Sequence, residues 1–347
     1  MPRADRIRGL SRWPIVVAPM AGGPTVPALA IAAAQAGALP FLAGGYKSAP
    51  ALQGEIDAVR AATGAAFGVN VFVPGAPTGD PATLQAYVAE LAGEASALGT
   101  ELGAASWDDD GFGAKVELLL ADPPPVVSFT FGCPPVDVMG ALQAAGATVV
   151  ITVTSPDEAA LAQQAGADCL CLQGAEAGAH RGTFTNDGAD EGAERPLCDL
   201  LAAVRRQTDL PLIGAGGVAG PDDVAAVLAA GAVAVQAGTA FLRCEESGAN
   251  PVYRQALADP RYTSTALTRA FSGRRARSLV NRFVREHEGA PTAYPEINNA
   301  TRPLRSAAAA AGDADHMSLY AGVRFRQAAA RPAGEIVAHL AAGVTGA

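Results

Sequence analysis

Apolar residues in this chain come in short unbroken runs, separated by longer stretches in which alanine and polar residues mix. Eight runs read as strands: 15–18, 39–42, 67–72, 126–129, 148–151, 167–172, 212–214 and 233–236. Most are too continuous for half-exposed antiparallel strands, so parallel strands buried on both faces are expected. Helices are expected between them, at 26–35, 49–62, 82–98, 136–144, 156–164, 197–207 and 222–229. The tripeptide Ala-Gly-Ala recurs at 36–38, 145–147, 165–167 and 230–232, each time after a helical stretch and before an apolar run. Glycine after a helix followed by a β-rich run is a stop-and-start signal. Such alternation means an α/β fold, and eight units favour a closed (β/α)8 TIM barrel over an open doubly wound sheet. The rhythm breaks near Thr263. Residues 1–262 are expected to form the barrel, and 263–347, polar, Arg-rich and helical in parts, a smaller, mainly helical segment that covers the active-site face, with packing back onto the barrel left open as the alternative. Residues 99–113 read as a surface excursion in the third unit, with Asp108-Asp109-Asp110 as a solvated helix N-terminus.

Composition narrows the class. Half of the 347 residues are hydrophobic and 17% are charged, so a large core is available and disorder is excluded over most of the chain. A formal net charge of −9 speaks against a nucleic-acid partner. The basic residues are arginines except for Lys47 and Lys115. Five cysteines form no C-x-x-C pair, and Cys169 and Cys171 share one face of a strand as buried thiols, which fits a reducing cytoplasm. Arg3, Arg6, Arg8 and Arg12 precede an apolar run in the manner of a signal peptide, but Pro14, Pro19, Pro24 and Pro27 interrupt it. No apolar stretch is long enough to span a bilayer, so no membrane partner is expected, and no metal site.

The chemistry concentrates where strands empty into loops. After the sixth run comes Gln173 to Gly182, with small residues flanking His180. Glycine there lets a flat ligand lie against the backbone, and a histidine can trade a proton near neutral pH. The alternative is a glycine-rich loop with an incidental, solvated histidine. The seventh and eighth runs end in Gly214-Ala215-Gly216-Gly217 and Gln236-Ala237-Gly238-Thr239. In barrels these two loops commonly hold a phosphate on backbone N–H groups. The dinucleotide fingerprint is met only loosely, and Gln236 stands where an acidic residue would grip a ribose, so a mononucleotide suits the pair better. Asn70 and Gln173 each offer an amide that donates and accepts, as the pyrimidine edge of a flavin requires, or else each is a capping amide.

Together, Ala18 to Gly22, Val69 to Phe72, Ser128 to Gly132, Gln173 to Gly182, Gly214 to Gly217 and Gln236 to Phe241 resemble the class I nitronate monooxygenases, once called 2-nitropropane dioxygenases. Ala270 to Arg274, Asn281, Tyr294-Pro295, Asn298, Thr301 and Leu304-Arg305 are similar to that family's C-terminal signature. The resemblance implies an FMN-binding TIM barrel that oxidises alkyl nitronates with O₂ to carbonyl compounds and nitrite, and leaves open whether neutral nitroalkanes are accepted. It puts His180 beside substrate and flavin as the catalytic residue. Amide contacts to FMN carry over to Asn70 and Gln173. Phosphate or ribityl contacts carry over to Gly178, Gly216, Gly217, Gln236, Ala237, Gly238 and Thr239, and Met20 and Gly22 match the strip beside the ring. Two departures stand out. Ala179 follows Gly178 where the family usually has a second glycine, and Tyr320 stands where it commonly has tryptophan. A homodimer is open. The competing enzyme on the same barrel is an NAD(P)H-dependent FMN reductase of quinones or enoyl thioesters, and a non-catalytic flavin carrier is a third reading.

Overall fold

The computed structural model describes residues 7–188, 192 and 194–345; Arg3 and Arg6 of the N-terminal basic cluster lie outside the described residues. In chain order the strands are β1 (Ile15–Val17), β2 (Leu39–Ala43), β3 (Gly68–Phe72), β4 (Val126–Thr130), β5 (Thr148–Val153), β6 (Cys169–Gln173), β7 (Ala179–His180), β8 (Leu212–Ala215), β9 (Ala234–Ala237), β10 (Thr265–Thr268) and β11 (Ala276–Leu279). The helices are α1 (Pro27–Gln35), α2 (Ala49–Ala62), α3 (Pro81–Ala97), α4 (Phe112–Ala121), α5 (Val136–Ala144), α6 (Pro156–Ala165), α7 (Leu197–Arg205), α8 (Pro221–Ala229), α9 (Pro251–Ala256), α10 (Arg282–Glu286), α11 (Glu296–Ala311) and α12 (Ala333–Thr345). Strands β1 to β6, β8 and β9 close a parallel barrel, with β9 pairing back onto β1. All eight runs read from the sequence are its staves.

Period-two alternation explains why the runs had to be apolar throughout. Val16, Val126, Val150, Cys169, Cys171 and Ile213 pack inside the barrel, while Val17, Val127, Val149, Leu170, Leu172 and Leu212 pack outward against the helices. Both thiols of β6 are buried, as their spacing requires. Proline in the first turn opens α1, α2, α3, α6, α8 and α9, where its missing N–H costs nothing. Ser48, Asp80 and Ser155 cap their helices with a side-chain acceptor.

Two features depart from the sequence reading. The third unit holds two helices. The helix packed in the barrel wall is α4, which contacts α2, α5 and β3, whereas α3 leaves the wall to pack on α11. Tyr87, Leu91 and Ala95 of α3 share a cluster with Phe271, Phe283, Ile297 and Leu304, so the cap draws chain from both sides of residue 262. The cap also contains a three-stranded antiparallel sheet, β10-β11-β7, which the polar sequence of its strands concealed. The end of the C-terminal segment packs back onto the barrel, the other placement left open for it: α12 lies between α1 and α8, where Ile336, Val337 and Leu340 join the main core.

The acidic triplet is not merely solvated. Asp110 accepts the Tyr46 N–H at 2.8 Å and meets the fully buried Lys115 at 2.7 Å. Asp108 accepts from Asn299 of α11 at 2.7 Å. The excursion therefore ties barrel to cap.

Candidate active site

Met20, Gly22, Asn70, Gln173, Gly178, His180, Gly216, Gly217, Gln236, Ala237, Gly238 and Thr239 all line one cavity of about 590 Å³. It lies at the C-terminal ends of the barrel strands, under the cap, and falls within the roughly 300–1,000 Å³ usual for cofactor sites.

One end of the cavity is a cradle of backbone donors. Gly216 and Gly217 turn the chain with φ of +122° and +70°, conformations open to glycine and costly to other residues. The N–H groups of Gly217 and Gly238 make no hydrogen bond among the described residues. Thr239 accepts the Gly322 N–H at 3.0 Å, which leaves its own hydroxyl proton free to donate. Gly178 is needed for close approach: a Cβ there would lie 2.5 Å from the Ala321 carbonyl carbon and the Gly322 nitrogen. The segment around Gly322 thus lies directly over the cradle.

The two amides differ. Asn70 spends its NH₂ on the Ser128 carbonyl, the Ser128 hydroxyl and the Thr130 hydroxyl, at 3.3, 2.9 and 3.0 Å. Its Oδ1 is the atom left for a ligand. Gln173 instead braces the histidine loop: Nε2 donates to the His180 carbonyl at 2.9 Å and Oε1 accepts from Gly182 at 2.8 Å. Its second Nε2 hydrogen and the other lone pair of Oε1 remain for a ligand.

His180 sits on β7, held to β11 in register with Ala276. The preceding residue, Ala179, has φ +65°, where a side chain costs about 1–2 kcal/mol. That explains the glycine usual at this position in the family, and the ladder to Arg277 holds the alanine there. Nε2 of His180 is 2.8 Å from Ser272 Oγ, and that hydroxyl donates to the Arg274 carbonyl at 3.1 Å. With the Ser272 proton directed at the Arg274 carbonyl, Oγ accepts from the ring, and in that arrangement Nε2 carries the hydrogen and Nδ1 keeps a lone pair. Burial, followed by the charges of Arg274 and Arg305, pushes the histidine down to about 3, so it is neutral at physiological pH.

The rings of Phe131, Tyr294 and Tyr320 surround His180 at 6.1, 5.5 and 5.2 Å. Tyr320, the residue in the tryptophan position, is thus part of the histidine's own packing. Arg274 stacks 3.9 Å over Phe131 and donates to the carbonyls of Arg181 and Thr183, which fixes the loop after His180. Arg305 lines the cavity, and its Nε has no hydrogen-bond partner among the described residues. Tyr46, on the loop after β2, carried no sequence signal; only its place at the end of a barrel strand marks it.

A profile of the nitronate monooxygenase family matches residues 6–343. The nitronate monooxygenase of Pseudomonas aeruginosa is 40% identical, with 96% of this chain and 97% of that protein covered. A probable nitronate monooxygenase of Bacillus subtilis is 37% identical over 90% of each. Among solved structures, a nitroalkane oxidase from Streptomyces ansochromogenes is similar with a TM-score of 0.95 and 50% identity, covering 98% of this chain and 99% of that one. FabK from Thermotoga maritima shares the fold at a TM-score of 0.75 and 24% identity, over 100% and 96% of the two chains. That distant likeness does not favour the reductase alternative. Match over nearly the whole length and a histidine-bearing cavity at the barrel mouth converge: the chain belongs to the nitronate monooxygenase family, flavin-dependent oxidoreductases that oxidise nitronates.

Proposed function

We propose that the flavin is FMN, bound across the barrel mouth, and that the chain uses O₂ to convert alkyl nitronates to carbonyl compounds and nitrite, with His180 as the catalytic residue. The observation that carries this reading is the meeting, in one cavity, of a half-buried, neutral histidine and two glycine turns whose Gly217 and Gly238 N–H groups have no partner among the described residues. A single phosphate suits two short adjacent turns. Gly217, Gly238 and Thr239 would hold it, Asn70 Oδ1 would accept from the pyrimidine edge, and Met20 to Gly22 would flank the ring. The cradle is also the part that a Cβ would fill: at Gly217 it would stand 3.1 Å from Glu176 Cβ. Bound there, the flavin supplies an acceptor for the electron that a nitronate carbon gives up readily, and a path for it to O₂.

The chain's own residues do the rest. Phe131 and Tyr320 wall the reacting space and exclude water. Arg305 gives the cavity a positive charge that attracts an anionic nitronate. A neutral His180 does not pair with the nitro oxygens as a cation. Its Nδ1 is instead a base for the α-proton of a neutral nitroalkane, with Nε2–H pinned by Ser272. A base held so far below neutral is weak, so preformed nitronates are the better substrates. Five free thiols, three of them buried, support a reducing cytoplasmic setting.

The purified protein should be yellow and release FMN on denaturation. Anaerobic nitronate should perturb the flavin spectrum, and readmitted O₂ should restore it as nitrite appears. NADH and NADPH should reduce the flavin slowly or not at all. Rapid reduction by either, coupled to a quinone and with no nitrite from any nitronate, would assign the protein to the reductases.

A further inference from the structure

Tyr46 and Lys115 lie 69 positions apart, and neither is explained by the chemistry of His180. Lys115 is one of two lysines in an otherwise arginine-only chain, and its side chain is 0% exposed. An ammonium is expensive to bury and needs a partner there. It meets Asp110 Oδ2 at 2.7 Å. The other oxygen of that carboxylate, Oδ1, accepts the Tyr46 N–H at 2.8 Å. Both Asp110 and Tyr46 have left-handed backbones, φ +56° and +65°, which L residues hold only when the surroundings impose it. Asp110 is itself pinned by turn bonds: its N–H donates to Asp108 at 2.9 Å, and the Gly111 N–H donates to Asp109 at 3.0 Å.

The ion pair thus ends on one residue, and that residue faces the cavity. Tyr46 Oη lies 3.1 Å from Tyr294 Oη, and the Tyr294 ring is 5.5 Å from that of His180. Burial raises both phenols well above their ordinary range, so each keeps its proton. Two phenols carry two protons, and their mutual bond uses one. The second is free to donate, beside a histidine that is neutral and so brings no charge of its own to an anion.

We propose that Lys115 and Asp110 form a buried strut that holds Tyr46 in place, so that the Tyr46–Tyr294 pair presents one O–H to the nitro oxygens of the substrate. Tyr46 is then a substrate-binding residue, and Asp110 and Lys115 are positioning residues acting through it. The substrate half of this proposal rests on the nitronate reading above; the strut does not.

The test uses the flavin-loaded enzyme, ethylnitronate as substrate and nitrite as product. Tyr46→Phe should raise KM about tenfold, the loss of one hydrogen bond to a charged group, with kcat within about twofold. Lys115→Met should raise KM similarly, and Tyr46→Phe/Lys115→Met should be no worse than either alone, because both remove the same O–H contact. Hydrogen–deuterium exchange of the 44–48 segment should speed up in Lys115→Met but not in Tyr46→Phe. Should Lys115→Met not fold, Asp110→Asn/Lys115→Met removes both charges and strands neither, and should show the same KM rise and faster exchange. Multiplying effects in the Tyr46→Phe/Lys115→Met variant, or an unchanged KM with only the melting temperature lowered, would overturn the proposal and leave the ion pair as a fold tie. If wild-type enzyme yields no nitrite, the nitronate reading fails and takes the substrate half with it, while the exchange result still decides the strut.

Discussion

Gly217→Val should yield a folded protein that carries almost no flavin. Two effects act together. Gly217 has φ +70°, where any side chain costs about 1–2 kcal/mol and a β-branched one more. Its Cβ would also stand 3.1 Å from Glu176 Cβ. Glu176 cannot yield easily, because its carboxylate accepts the Leu197 N–H at 3.1 Å where α7 begins. The turn must therefore shift, and the Gly217 N–H, which has no partner among the described residues, shifts with it. Losing several charge-assisted donors at once outweighs the strain itself, so binding rather than folding should be the casualty. The flavin-to-protein ratio after purification and reconstitution measures it, with the melting temperature of the flavin-free form as control. A variant that keeps a full complement of FMN would remove the phosphate from this turn.

The barrel was legible because its physics is local. Each stave is an apolar run that must be buried on both faces, and the Ala-Gly-Ala copies at 36–38, 145–147, 165–167 and 230–232 mark helix stops just before a stave. The cradle was legible for the same reason, since glycines at the ends of the seventh and eighth staves follow from backbone needs alone. The cap was not. Helix α3 has the amphipathic pattern of a barrel helix, and nothing in Tyr87, Leu91 or Ala95 says that their partners are Phe271, Phe283 and Ile297. Strands β10 and β11 are four residues each and mix polar with apolar residues, so no apolar run marks them. Gln173 offers a ligand amide by residue type, but its bracing of the His180 loop depends on bonds to residues seven and nine positions on, which residue type does not reveal. Tyr46 depends on contacts with Asp110 and Tyr294, 64 and 248 positions away, and no window along the sequence spans them.

His180→Ala should keep FMN and fold yet cut turnover of neutral nitroalkanes by roughly 10²–10⁴-fold, the usual worth of a positioned base. Preformed nitronates, which need no deprotonation, should lose much less. The pH dependence carries independent information. Burial, with Arg274 and Arg305, lowers the histidine from 6.5 to about 3, so the form with a free Nδ1 lone pair is complete above about pH 4 and is lost only on falling through 3. For a neutral nitroalkane, kcat/KM of the free enzyme should therefore run flat from pH 8 to 5, with no acid limb near 6.5 from this residue. Arg274→Leu should bring the limb upward towards neutrality, because it removes one of the two charges that oppose protonation; Arg305 and burial would still hold it below 6.5. Ser272→Ala acts on a different property. It releases Nε2–H, lets the ring turn or take the other tautomer, and should lower kcat for nitroalkanes without moving the limb. Equal losses on nitroalkane and nitronate in His180→Ala would make the residue a substrate anchor rather than a base, and unchanged rates on both would leave it a packing residue among Phe131, Tyr294 and Tyr320.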